Sequence, residues 1–144
     1  MRRVMLVLLL ISGYTPQNKI RFAWWGSEED GLIGSNHYLD SLSRTDVRKI
    51  TMYLNVDCIA SHNFVRGGED SDLSDTIDHP DNVYQTTPKG SGANEQALLD
   101  YFRANNLPTK PTPLTGRTDY EGFAKYGIPF GCLFAELEGT KTDY

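Results

Sequence analysis

The stretch Ile20–Ser35, IRFAWWGSEEDGLIGS, constrains this chain more than any other. It predicts an apolar strand, Ile20–Trp25, running straight into a glycine-bounded acidic turn, Gly26-Ser27-Glu28-Glu29-Asp30-Gly31, and then into a helix. Strand side chains alternate between faces, but those of an irregular turn need not. Glu28 and Glu29 can therefore both face one crevice beyond the strand's carboxyl end, where open α/β sheets place their sites. Two adjacent carboxylates suit hydrolytic metal chemistry. One can hold a cation while the other, its pKa raised by its neighbour and by burial, moves protons. The competing reading is a solvated acidic surface loop, the default for clustered acids.

The rest of the chain alternates in the same way. Tyr14–Asn18 is a turn, because Pro16 stops a helix. Ser35 caps a helix reaching about Leu42, with Tyr38, Leu39 and Leu42 as its apolar stripe. Asp46–Lys49 is a helical piece or turn. Ile50–Ala60, ITMYLNVDCIA, is a second strand, apolar enough for a parallel strand covered on both faces. Ser61–Gly92, rich in Gly, Asp, Ser and Pro, reads as one long loop. Asn94–Asn105 is an amphipathic helix with Ala97, Leu98, Tyr101 and Phe102 inward. Pro108–Pro113 is extended linker, Asp119–Tyr126 a short helix and Phe130–Ala135 a third strand. Strand, helix, strand, helix, strand predicts an α/β layer on a mostly parallel sheet.

At 144 residues the chain has the length of one domain. A net charge of -5, with no basic patch interleaved with aromatics, argues against nucleic acid as a partner. Met1-Arg2-Arg3 followed by Val4–Ile11 imitates a short signal peptide. It lacks a clean small-x-small cleavage site and is too short to span a membrane. We read it as the end of a buried helix stopping at a C-cap near Gly13. Cys58 and Cys132 sit in apolar runs and read as buried thiols, too few for a disulfide framework.

Two further features carry chemistry. Asp57 lies in an apolar strand, where a carboxylate is costly unless paired or on a metal; a structural Asp accepting backbone or Arg hydrogen bonds is the alternative. With Glu28 and Glu29 it makes an incomplete oxygen-only metal site, whereas zinc usually also takes His. The histidines His37, His62 and His79 form no ligand pair. In Thr115-Gly116-Arg117-Thr118-Asp119-Tyr120, the guanidinium of Arg117 can bind a carbonyl or carboxylate. Alternatively, Arg117 is a surface residue and Asp119 caps the helix. Asp70-Ser71-Asp72 opens like a calcium loop, but Asp75 stands where the turn glycine belongs, so this segment reads as solvated acidic loop. H-E-x-x-H, G-x-S-x-G, P-loop and G-x-G-x-x-G motifs are absent.

The runs Arg21–Tyr38, Tyr53–Arg66, Gly90–Phe102 and Gly116–Thr142, in this order, resemble the di-zinc aminopeptidases of the aminopeptidase Y and Streptomyces-type group, metallopeptidase family 28. Most specific are the aromatic-Gly-x-Glu-Glu-x-Gly-Leu-x-Gly-Ser run and Gly-Arg-Thr-Asp-Tyr followed by Gly-Ile-Pro. The resemblance implies a three-layer phosphorylase/hydrolase-like zinc exopeptidase fold, incomplete here. It implies that Glu28 is the general base and acid. Glu29 would ligate one of two zincs and Asp57 the other. Gly116, Arg117 and Phe134 would line the pocket for the N-terminal residue of a peptide substrate. Secretion is expected from the same resemblance.

The departures shape the expectation. The family's His-x-Asp motif, the Asp bridging both zincs and a His of a Cys-Tyr-His-x-x-Cys-Asp motif have no counterpart in this sequence. Residues 1–144 are thus read as a partial peptidase domain, inactive alone and unable to hold both zincs. An unpaired sheet edge invites self-association. A non-catalytic binding domain on the same fold is the alternative; a glutaminyl cyclase or carboxypeptidase relative is disfavoured by Gly-Arg-Thr-Asp-Tyr.

Overall fold

The computed structural model of this chain describes residues 15–59 and 64–136. The expected helix end over Val4–Ile11, its cap at Gly13, and His62 lie outside them. Strands β1 (Tyr53–Asp57), β2 (Phe64–Glu69), β3 (Lys110–Thr112) and β4 (Phe130–Glu136) form one sheet in the order β1-β4-β2-β3. β1 runs parallel to β4 and β2 parallel to β3, while β2 and β4 are antiparallel. The helices are α1 (Ile33–Asp40), α2 (Arg44–Val47), α3 (Ser91–Ala104) and α4 (Tyr120–Lys125). The mostly parallel α/β sheet is thus the one predicted.

Neighbouring residues on a strand face opposite ways, and β4 uses both faces. Phe130 stacks on Tyr120 of α4, ring centroids 4.8 Å apart. A Cβ on Gly131 would meet Asn94 of α3 at 3.0 Å. α3 and α4 therefore cover opposite faces, which makes three layers. The main core lies on the α4 side. There Leu73, Leu114, Tyr120, Phe130 and Cys132 form one buried cluster, and Leu39, Phe123 and Ile128 a second. Tyr53 borders both and stacks on Phe123 at 3.7 Å.

Several expectations need correction. Ile20–Trp25 is not a strand. A strand needs a ladder for its backbone groups, and no described strand offers it one; Ile20 and Trp24 remain 46% and 47% exposed. The expected strand Ile50–Ala60 contracts to Tyr53–Asp57 and stops where Cys58 takes a φ of 48°. Among the described residues it is an edge strand covered on one face only: Leu54 and Val56 are 49% and 56% exposed. Cys58 is exposed rather than buried, whereas Cys132 is buried as expected.

The expected loop Ser61–Gly92 contains β2. A Cβ on Gly67 would stand 2.7 Å from the carbonyl oxygen of Phe134, so this tight crossing of β4 demands glycine. The expected linker contains β3, where Pro111 is tolerated because β3 is an edge strand. α3 turns Ala97 and Tyr101 outward, not inward. Ser91, Glu95 and Phe102 are its buried residues, and Ser91 Oγ accepts the Phe130 N–H at 3.2 Å. Ser35 does not cap α1. That position is held by Leu32, and the Ser35 hydroxyl donates to the Leu32 carbonyl at 3.1 Å.

Burial asymmetry across the sheet gives a paired prediction. Phe130→Ala should cost about 3–5 kcal/mol, whereas Val56→Ala should cost about 0.5 kcal/mol or less. Urea denaturation of both variants, read against the parent chain, checks this.

Candidate functional site

The acidic turn is built by its backbone. Leu32 N–H donates to Glu28 O at 2.8 Å, Ile33 N–H to Ser27 O at 3.1 Å and Gly34 N–H to Gly26 O at 3.1 Å. A Cβ on Gly34 would stand 2.6 Å from Gly26 O, so only glycine closes this loop. Ser27 and Leu32 bracket the acids with φ of 53° and 59°. Non-glycine residues in this left-handed region are strained by about 1–3 kcal/mol each, and such residues cluster at functional sites.

A relay of hydrogen bonds fixes the turn to the sheet. Trp25 Nε1 donates to Tyr53 Oη at 3.0 Å, and Tyr53 Oη donates to Asn55 Oδ1 at 2.9 Å. Asn55 Nδ2 donates to Thr118 Oγ1 at 2.6 Å and to Cys132 Sγ at 3.3 Å. Asn55 is buried on the strand face that Asp57, two residues on, shares. The relay therefore aligns the acidic turn, β1 and the segment entering α4.

Asp57 ends β1 opposite Phe134 of β4, at the carboxyl end of this parallel pair. Glu28 is half-buried and its pKa is raised, first by burial and then by the negative charges of Asp57, Glu29 and Asp119, with Arg117 opposing. Asp119 is 8% exposed and also raised: burial leads, the Ser35 hydroxyl offsets part, and Asp57 adds to the rise. Its Oδ1 is buried and accepts no hydrogen bond. Glu29 and Arg117 are exposed at the rim. Gly116 turns with φ of 69°, and its N–H donates to Tyr120 Oη at 2.8 Å.

The structure thus brings Glu28, Glu29, Asp57 and Arg117 into one electrostatic neighbourhood, with Phe134 paired to Asp57. Asp119, which sequence reasoning assigned to capping, makes no side-chain cap bond and joins this group instead. Its signal in the sequence was only its place two residues after Arg117. His37 and His79 are exposed, and the latter lies 3.7 Å from Asp81.

Glu29 and Asp57 do not by themselves fit a zinc ion. Both donors are oxygen, and a structural or catalytic zinc site takes three or four ligands. Among the described residues, the group of three or more possible ligand side chains with atoms within 4.8 Å of one another is Asp70, Asp72 and Glu95, and Glu29 and Asp57 belong to no such group.

The comparison with known proteins decides the lineage: residues 4–144 match Peptidase family M28. The chain belongs to that family. It is 42% identical over 135 residues to an "Aminopeptidase" of Pseudomonas aeruginosa (strain UCBPP-PA14), covering 94% of this chain and 24% of that protein. It is 39% identical over 140 residues to "Leucine aminopeptidase 2" of Trichophyton equinum, covering 96% of this chain and 27% of that one. A solved structure, "Aminopeptidase from Aneurinibacillus sp. strain AM-1", aligns with a TM-score of 0.49 at 25% identity over 76% of this chain and 23% of its own. The M28 chain therefore spans about a quarter of the length of these relatives.

An acid whose pKa is higher folded than unfolded stabilises the fold below its unfolded pKa and loses that contribution as pH rises through the folded pKa. Glu28 and Asp119 are both of this kind. Glu28→Gln and Asp119→Asn should therefore raise the thermal midpoint at pH 7, and the gain should vanish near pH 3. Melts of both variants at the two pH values check the sign.

Proposed function

We propose that this M28 chain contributes the base and two metal-binding carboxylates of a metal-dependent aminopeptidase, which releases N-terminal residues from peptides. The observation that carries the reading is the placement of Glu28: half-buried, within the field of Asp57 and Asp119, with its pKa raised by burial first and then by those charges. A carboxylate poised this way can take a proton from an attacking water and return it to the leaving amine. Glu29 and Asp57 would serve as ligands, one to each of two zinc ions. Gly116, Arg117 and Phe134 would line the pocket for the substrate's N-terminal residue. The relatives carry aminopeptidase names, which favours this reading over a non-catalytic binding domain.

A zinc ion needs more ligands than Glu29 and Asp57 supply. The chain alone should retain less than one zinc after dialysis and should not hydrolyse a leucine p-nitroanilide. Two bound zincs with turnover would overturn the incomplete-site reading. In a longer chain carrying the additional ligands, Glu28→Gln should lower kcat by about 10²–10⁴ with KM little changed. Normal turnover in that variant would remove Glu28 from the mechanism.

Self-association belongs to the same proposal. Among the described residues β1 is an edge strand, and Leu54 and Val56 on it, with Met52 just before it, expose apolar surface. Unpaired backbone beside apolar side chains invites strand pairing between copies. Light scattering should show oligomers that Val56→Lys reduces; a monomeric parent chain would contradict this.

A further inference from the structure

The loop after β2 is not the solvated acidic loop that its composition predicts. Asp70 is fully buried, and its carboxylate accepts the N–H groups of Ser74, Asp75 and Thr76 at 2.9, 2.8 and 2.6 Å. Farther on, Asn82 ties a second turn. Its Nδ2 donates to the carbonyl oxygens of Ile77 and Tyr84 at 3.3 and 2.9 Å, and its Oδ1 accepts the Tyr84 N–H at 3.2 Å. Asp and Asn side chains that satisfy the backbone in this way hold a loop in one conformation.

Val83 sits inside that second turn. Its N–H donates to the carbonyl oxygen of fully buried Leu114 at 2.9 Å. The next residue, Tyr84, packs against the core cluster that contains Leu114 and Tyr120. Gly116, two residues after Leu114, donates its N–H to Tyr120 Oη at 2.8 Å. Val83 and Gly116 therefore hang on one frame, yet the valine is 64% exposed.

An exposed apolar side chain signals nothing by itself. This one stands over a spot that the chain keeps clear. A Cβ on Gly116 would meet Val83 Cγ2 at 3.3 Å and Glu121 Cγ at 3.7 Å, and the φ of 69° there suits glycine. Arg117, the next residue, acts on the charge of Glu28, so this spot borders the crevice. The Glu121 carboxylate is engaged by Lys125 Nζ at 2.8 Å. Val83 thus supplies the apolar wall beside Gly116.

We propose that Val83 is a specificity-determining residue, the outer wall of the pocket for the substrate's N-terminal side chain, and that it favours branched aliphatic residues there. The inference rests on the reading that Gly116 lines that pocket. A branched aliphatic side chain lying over Gly116 would cover the exposed valine and remove apolar surface of both from water. An alanine side chain is too short to gain as much, and a lysine ammonium would lose water against the valine methyls.

The test measures kcat/KM for leucine, alanine and lysine p-nitroanilides in the longer chain that carries the additional zinc ligands. Val83→Ala should lower the leucine-to-alanine ratio about tenfold, the scale of a lost aliphatic contact in a pocket. Val83→Asp should lower the leucine rate further and raise the lysine-to-leucine ratio. In the present chain, Val83→Ala should leave the thermal midpoint within about 2 °C of the parent, as expected of an exposed side chain. Ratios that stay unchanged while the parent turns over, or rates that fall equally for all three substrates, would overturn the role of Val83 and leave the aminopeptidase reading standing. A larger fall in the midpoint would make Val83 a packing residue and equally overturn it. A longer parent chain that binds zinc but hydrolyses none of the three would overturn the aminopeptidase reading and this inference with it.

Discussion

The hydrogen-bond relay from Trp25 through Tyr53 and Asn55 to Thr118 is the constraint on which the rest depends. Each of its polar groups is buried or half-buried, so each must be satisfied inside the protein or destabilise it. Satisfying them requires the acidic turn, β1 and the entry to α4 to occupy one relative position. Tyr53 then stacks flat on Phe123, which joins the relay to the core under α4. The apolar core and the polar crevice are thereby two sides of the same few residues.

That coupling explains why acids can gather at the carboxyl end of β1. Asp57 is fixed by strand register, Glu28 by the backbone bonds of its turn, and Asp119 by the entry to α4. All three are brought to the crevice by backbone position. Burial, and after it their mutual repulsion, is the cost of this arrangement, and it appears as raised pKa values at Glu28 and Asp119.

Much of this was legible in the sequence, for identifiable reasons. The acidic turn announces itself through Gly26, Gly31 and Gly34, and the two parallel strands through continuous apolar runs. β2 was not legible because Gly67 and Gly68 look like loop; Gly67 is required by the β4 backbone that crosses it, which a single sequence does not display. The opposite error occurred at Ile20–Trp25. That run has a strand's composition, but pairing is a property of two segments, and no described strand lies beside it. Asp119 and Glu95 were missed because burial of an acid in a helix or at its entry follows from packing, not from its neighbours in the chain.

The antiparallel course of β2 against β4 has a consequence for charge. β4 and β1 point their carboxyl ends at Glu28 and Asp57, while β2 delivers Asp70 to the opposite rim. The two acidic groups therefore sit at opposite poles of the sheet, roughly 13 Å or more apart at strand spacing. Between them lies Glu69, whose pKa burial pushes up to about 8, so that it is mostly uncharged at neutral pH. The interior between the poles thus carries little charge, and a neutral Glu69 adds no third negative charge to the acids at either end.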